Sequence, residues 1–364
     1  MRALALPQDD AQLRFVLYFT KGLGDVAAAE LNDIVPAATL LHDDERFAVV
    51  ALTAAQAQQL GEQTRTIDDL RLLIAGPESV TSEDDFAALC GAAAKRVRQV
   101  LAQGDNPPDP WSVTLSARNP VWRSSSAWDP APLLTEHFQG ADLNATVRSS
   151  VDLRLQVEGE TVHIALNLWH RPVGKRAHDA SERPGALRPT VAAAVVRLAL
   201  ADLDPAITAQ GVYDPFCGTG TIVAEAAHLG LPVFASDIDD QAVELTRQRL
   251  SGEYARDSAS AAAELRHRVF AHDVRRGPAQ RVTARIVVGN MPWGKQIKVK
   301  GRLALFNATA LLVRHALGEG GSAALLTTHE DQLIARLRRQ RLEVSSRRIG
   351  LLGQTPAIVT ARKS

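Results

Sequence analysis

The stretch GVYDPFCGTGTIVAEAAHLG, residues 211–230, constrains the fold more than any other part of the chain. A short apolar run ends at Asp214, glycines follow at Gly218 and Gly220, and an apolar-periodic segment begins at once. That is the grammar of a strand, a tight loop and a helix. The grammar then repeats. PVFASDID reads as a strand and QAVELTRQRL as a helix; HRVFAHD and RIVVGN read as strands, LALFNATALLVRHAL as a helix, SAALLTT as a strand and DQLIARLRRQ as a helix. Strands alternating with helices imply right-handed parallel crossovers and a doubly wound sheet. The closing pair, LEVSSRRIG and PAIVTAR, has no helix between its members and is expected as an antiparallel hairpin at the sheet edge.

At 364 residues the chain is too long for one ordinary core. Upstream of the alternating part the elements are shorter and differently mixed. LRFVLYF, RFAVVAL and DLRLLIA read as strands, with helices at GDVAAAELNDIV and AAQAQQLGEQ, which suits a small α+β sandwich. A second unit follows with helix EDDFAALCGAAAKRVRQVLAQ, strand WSVTLSA, helix PAPLLTEHF and two strands joined at Glu158-Gly159-Glu160, a hairpin signal. Residues 171–190 are rich in Pro, Gly and Arg without an apolar period and read as a connector.

Composition narrows the classes. The start, MRALALPQDDAQ, has no apolar run long enough for a signal peptide or a membrane span, so a cytoplasmic location is expected. Cys90 and Cys217 lie far apart, which excludes a CxxC motif and a disulfide scaffold. The histidines, among them His170, His178 and His272, have no metal-ligand spacing, and no metal is expected. With 41 basic and 41 acidic residues, net charge gives no argument for nucleic acid, and any such claim must rest on local charge.

The glycine loop lacks the lysine of a Walker phosphate site, and Asp214 at the strand end repels an anion and attracts a cation. Asp237 ends the next strand, where an acid accepts hydrogen bonds from ribose hydroxyls, and Asp273 ends the one after, where an acid can meet an adenine amine. Acids after successive strands suggest a nucleoside ligand carrying a positive group. S-adenosylmethionine fits; NAD, with its pyrophosphate, fits less well. Each acid alone could be a helix cap.

DPFCGTGT, followed by SDID and later NMPWG, resembles the class I methyltransferases that modify exocyclic amines, and specifically the THUMP-domain RNA guanosine N2-methyltransferases. The connector segment KRAHDASERPGALRPTVAAAVVRLA is similar to the one preceding the Rossmann-like domain in that family. The resemblance implies an α/β fold: a ferredoxin-like domain over 1–76, a THUMP RNA-binding domain over 77–170, the connector over 171–190 and a Rossmann-like methyltransferase domain over 191–364. It implies that Asp214, Pro215, Phe216, Cys217, Gly218, Thr219, Gly220, Thr221, Asp237, Ile238, Asp273, Val274 and Asn290 line the cofactor site. ARNPVWRSSSAW departs from the basic run of the family's THUMP module.

Methyl transfer to an aryl amine needs two acceptors aimed at the amine hydrogens, to make the nitrogen lone pair available and stabilise the charge developing on it. Asn290 is expected to supply its side-chain oxygen and Met291 its carbonyl, with Pro292 holding the preceding residue extended. Trp293 offers a face for base stacking. Lys295, Lys298, Lys300 and Arg302 after the motif, and Arg171, Lys175 and Arg176 in the connector, are expected to neutralise RNA phosphates. The arginines of RLRRQRLEVSSRR are expected to be ordinary surface charges. The reading is a monomeric S-adenosylmethionine-dependent RNA methyltransferase making N2-methylguanosine in tRNA. Its rivals are ribosomal RNA guanine-N2 or DNA adenine-N6 methylation, and an RNA-binding module with a disabled transferase domain.

Overall fold

The computed structural model of the chain describes residues 11–102, 111–118, 130–138, 151–169, 173–176, 185–254, 267–292, 301–351 and 353–363. Contacts divide it into two units, Met1–Phe19 with Ala29–Val173, and Thr20–Ala28 with Gly174–Ser364.

The first unit is built on strands β1 (Leu13–Tyr18), β2 (Thr39–Asp43), β3 (Phe47–Leu52), β4 (Asp69–Ser79), β5 (Trp111–Arg118), β6 (Val151–Glu158) and β7 (Thr161–Leu166), with the part of helix α1 (Gly24–Ile34) from Ala29 on and helices α2 (Ala54–Gln63), α3 (Glu83–Ala102) and α4 (Pro130–His137). The strands form one sheet in the order β2-β3-β1-β4-β7-β6-β5. The hairpin at Gly159 forms as expected, β6 pairing antiparallel with β7. The boundary expected after residue 76 falls inside β4, because pairing with β7 continues past Gly76-Pro77 to Ser79 through two shifts of register. A Gly-Pro pair punctuates sequence, but a strand can cross it where the register slips. Buried Arg71 ties β4 to β6, bonding Asp69 at 2.8 Å and Asp152 at 2.9 Å.

The second unit holds strands β8 (Val212–Asp214), β9 (Val233–Asp237), β10 (Val269–Ala271), β11 (Ile286–Asn290), β12 (Ser322–Thr327), β13 (Glu343–Arg348) and β14 (Ala357–Arg362). Its helices are α5 (Pro189–Leu200), α6 (Pro205–Thr208), α7 (Thr221–His228), α8 (Asp240–Tyr254), α9 (Arg302–Leu317) and α10 (Glu330–Arg339). The sheet runs β10-β9-β8-β11-β12-β14-β13. β10 to β12 are parallel along that order, and β14 and β13 close the edge as the expected antiparallel hairpin.

Side-chain alternation explains why both faces are covered. Val212, Ile286, Val288, Ala324 and Leu326 pack with α5, α7 and α8 on one face. Their neighbours Tyr213, Val287, Ala323 and Leu325 pack with α9 and α10 on the other. Strand order reverses between β8 and β11, which are hydrogen-bonded neighbours. Ligands of such sheets bind beyond the carboxyl ends at that switch point. Asp214 ends β8 and Asn290 ends β11, so sheet topology brings these two to one crevice.

Candidate active site

The loop after β8 is fixed from below. Cys217 N–H donates to the Ser236 carbonyl in β9 at 3.0 Å, and Gly220 N–H to the Cys217 carbonyl at 2.7 Å. Thr246 of α8 donates its hydroxyl to the Gly218 carbonyl at 3.0 Å. Gly220 has φ 77°, and an added Cβ would lie 3.0 Å from Thr246 Oγ1, so both conformation and space require glycine there. Thr219 and Thr221 are buried with their hydroxyls 3.3 Å apart. Gly220 caps α7 without a side chain, so the first-turn N–H groups of α7 have no side-chain acceptor from their cap.

Asp214 is 1% exposed and accepts the Phe216 N–H at 2.9 Å. Burial pushes its carboxyl up to about 8; the Phe216 N–H opposes the shift and the negative charge of Asp237 adds to it. A carboxylate this desolvated is stabilised by a neighbouring positive charge. Asp237 spans the loop, accepting the Gly218 N–H at 3.0 Å through one oxygen and the Asp239 N–H at 3.1 Å through the other. Burial raises its pKa as well, against those hydrogen bonds. Each carboxylate oxygen has a second lone pair, so Asp237 retains acceptor capacity for a pair of hydroxyls. Beside it Ile238 is 63% exposed, an apolar surface next to a polar cradle. Cys217 is buried, and burial followed by the charge of Asp214 raises its thiol well above the ordinary range, so it is a packing residue.

Asp273, expected to meet the adenine amine, is engaged within the chain. It caps a 3-10 turn at Val274–Arg276 and holds Arg275 through both oxygens, at 2.9 and 2.7 Å. The Arg275 hydrogen bond lowers its pKa. The cap reading of this acid describes what the structure shows, and a short turn placing Arg275 two residues on is the physical reason. Val274 is buried with α9.

At the end of β11 the Asn290 amide nitrogen donates to the Gly185 carbonyl at 3.2 Å. A carbonyl can pair only with the nitrogen, so the Asn290 oxygen is turned to the opposite side. Met291 N–H donates to the Leu326 carbonyl at 3.0 Å, which extends the pairing of β11 with β12 by one residue and fixes the peptide that follows. The Met291 side chain is 1% exposed and packs in the core with α9, so it does not shape a substrate pocket. Pro292 follows at a bend. Gly289 lies between the two halves of the crevice: a Cβ there would stand 3.3 Å from Asp214 Oδ1, Phe216 and Leu325.

Residues 176–357 match the family model UPF0020, the RMKL-like methyltransferase domain, over half of the chain. The chain belongs to this family. The tRNA (guanine(6)-N2)-methyltransferase of Thermus thermophilus is 34% identical to it over 186 residues, 50% of each protein, so the chain spans about half the length of that curated relative. The crystal structure of TrmN from Thermus thermophilus superposes with a TM-score of 0.70 at 23% identity, covering 97% of this chain and 100% of that one. SMU.472, complexed with SAH, superposes at 0.68 with 12% identity over 97% and 98%. At these identities the superpositions establish the fold, a Rossmann-like methyltransferase unit with its N-terminal companion.

Within the methyltransferase domain the expected RNA contacts divide. Arg176, expected to meet RNA phosphates, donates to Glu225 of α7 at 3.1 Å; its side chain is 13% exposed, and a carboxylate only 4% exposed on α7 requires a paired cation. Lys175 is exposed. Arg302 opens α9 with its guanidinium 3.3 Å from His329 Nε2. Trp293, Lys295, Lys298, Lys300 and Arg171 lie outside the described residues, as does most of ARNPVWRSSSAW. Sequence reasoning missed Gly185, which orients Asn290 through a backbone carbonyl, and Gly289, whose requirement appears only when β8 lies beside β11. No helix among the described residues is long and apolar enough to cross a membrane.

Proposed function

We propose that the chain is an S-adenosylmethionine-dependent tRNA guanine-N2-methyltransferase acting in the cytoplasm. The observation carrying this reading is the end of β11: Asn290, oriented by the donation of its amide nitrogen to the Gly185 carbonyl, stands one strand from the buried carboxyl of Asp214. An amide oxygen and the next backbone carbonyl are the pair an aryl amine needs. The name of the 34% identical Thermus relative supports the substrate class.

When bound, S-adenosylmethionine supplies an electrophilic methyl group on a positive sulfur. Asp214 favours the nearby positive charge, Asp237 accepts the ribose hydroxyls, and Ile238 offers its exposed side chain to the adenine face. The first turn of α7, uncapped by a side chain, suits a carboxylate. Asn290 Oδ1 and the Met291 carbonyl accept the two hydrogens of guanine N2 and stabilise the charge that grows on the nitrogen as it bonds to carbon. A neutral Asn is sufficient, because the methylated ammonium product is acidic and loses its proton readily. The N-terminal unit, with its ferredoxin-like and THUMP parts, would hold the RNA by shape and present a base flipped from its stack; Lys175, and Arg171, Lys295, Lys298 and Lys300, would meet its phosphates.

The test is Asn290→Ala. Methyl transfer to unmodified tRNA falls by more than about a hundredfold, while calorimetric affinity for the cofactor stays nearly unchanged. An active variant would remove the amine-orienting role.

A further inference from the structure

Helix α3 divides sharply into two sides. Phe86, Leu89, Ala93, Val97 and Val100 recur at helical spacing and are buried. On the other side Ala88, Ala92, Lys95, Arg96, Arg98 and Gln99 are exposed. At about 3.6 residues per turn, Ala88, Ala92, Lys95 and Gln99 fall in one row, with Arg96 on one flank and Arg98 on the other. The alanines keep the floor of that row low, so a partner can come close to the helix between the cationic side chains.

The described residues give these charges no internal role. No hydrogen bond or ion pair engages Lys95, Arg96 or Arg98 among them. α3 has no acid after Asp85, so no carboxylate stands three or four positions away from any of the three. Lys95 and Arg98, one turn apart, repel each other. Asp85, the nearest acid of the helix's first turn, is about 15 Å from Lys95 along the axis, further than the Debye length of about 8 Å at physiological salt. The cations do not complement the helix macrodipole either: the last turn holds no basic residue, and the field falls off within it.

The chemistry of the face selects its partner. A helix that lies on a membrane sets large apolar side chains beside its cations, and a protein interface needs aromatic or aliphatic anchors. Here the apolar residues between the cations are alanines. A polymer of phosphates needs only charges held out on a rigid scaffold, and arginine adds a planar fork that meets two phosphate oxygens.

We infer that this face of α3 seats the phosphate backbone of the RNA substrate, with Lys95, Arg96 and Arg98 each neutralising a phosphate. The inference rests on the RNA reading above and names the surface of the N-terminal unit that holds the polymer. Phosphate contacts carry no sequence information, so the face sets affinity and register and leaves the choice of nucleotide to the site at β11.

The test is binding of an unmodified tRNA transcript to the full chain, by fluorescence anisotropy over a range of salt concentrations. Lys95→Gln, Arg96→Gln and Arg98→Gln combined remove the three charges and keep good helix formers, so helical circular dichroism is retained. The slope of log affinity against log salt becomes shallower by about two to three, at roughly 0.7 to 0.9 per phosphate contact, and affinity at low salt falls at least about tenfold. Affinity for S-adenosylhomocysteine stays that of the wild type. Arg338→Gln, Arg339→Gln and Arg341→Gln remove the same net charge from exposed positions at and just past the end of α10, and leave the slope unchanged. A wild-type slope in the α3 variant overturns the assignment and makes the face a solvated one. An equal change in the α10 variant also overturns it, by reducing the effect to net charge. Polyglutamate held by the wild type as tightly as tRNA, and released by the α3 variant, would assign the face to an acidic protein instead. This readout needs no turnover. An Asn290→Ala enzyme that still transfers methyl would thus sink the catalytic reading while the salt slopes decide the face separately.

Discussion

Asp214 is where a single residue makes the site's electrostatics measurable. Its folded carboxyl titrates at about 8 against an ordinary 3.8. Between those values the folded chain holds a proton that the unfolded chain has released, so the stability it contributes is present below the lower value and is lost as pH rises through the upper one. Without cofactor, the thermal midpoint should fall between about pH 5 and about pH 8, and Asp214→Asn should flatten that dependence. A flat wild-type profile would contradict the buried neutral carboxyl. Cofactor binding near neutrality should release a proton from this group, seen as a binding heat that varies with the ionisation heat of the buffer. Asp237→Ala should weaken cofactor binding by about tenfold or more, through the lost ribose contact and the released Gly218 loop; unchanged affinity by calorimetry would remove the ribose role. At this scale the sequence was legible where a side chain carries the chemistry, as at Asp214 and Asn290. It was illegible where a backbone does: the carbonyl that turns Asn290 belongs to Gly185, 105 positions away, and any residue has a carbonyl.

Among elements, the strand-loop-helix order of the second unit could be read because each element buries a periodic apolar face. β2 could not. Its residues are mostly exposed, Leu40 and Leu41 each at 48%, so no alternation marks it as a strand, and it joins the sheet edge by pairing with β3. The four-residue α6 was missed for a similar reason, with none of its residues buried. The pairing of Arg176 with Glu225 was not legible, because a basic residue in a polar connector looks solvated until α7 brings Glu225 beside it. Gly289 gives the element-scale prediction. A methyl group there presses on Asp214, Phe216 and Leu325 at 3.3 Å, so Gly289→Ala should lower cofactor affinity while the circular dichroism of the sheet and helices is kept. Wild-type affinity in Gly289→Ala would show that β8 and β11 are not held so closely.

For the whole molecule, the alternation of elements predicted the doubly wound unit and its edge hairpin; the crevice between β8 and β11, where the strand order reverses, emerged only with the strand order. The division of the first unit was less legible, because β4 continues past a Gly-Pro pair that sequence punctuation treats as a stop. Family membership and fold agree with a methyltransferase; guanine N2 as the acceptor and tRNA as the polymer are what the site is proposed to select. The direct measurement is nucleoside mass spectrometry of total tRNA and rRNA from cells with and without the gene. The account predicts that N2-methylguanosine disappears from tRNA in the deletion and returns with the wild-type chain but not with Asn290→Ala. An unchanged tRNA profile, with the loss found in rRNA or in N6-methyladenine of DNA, would contradict it.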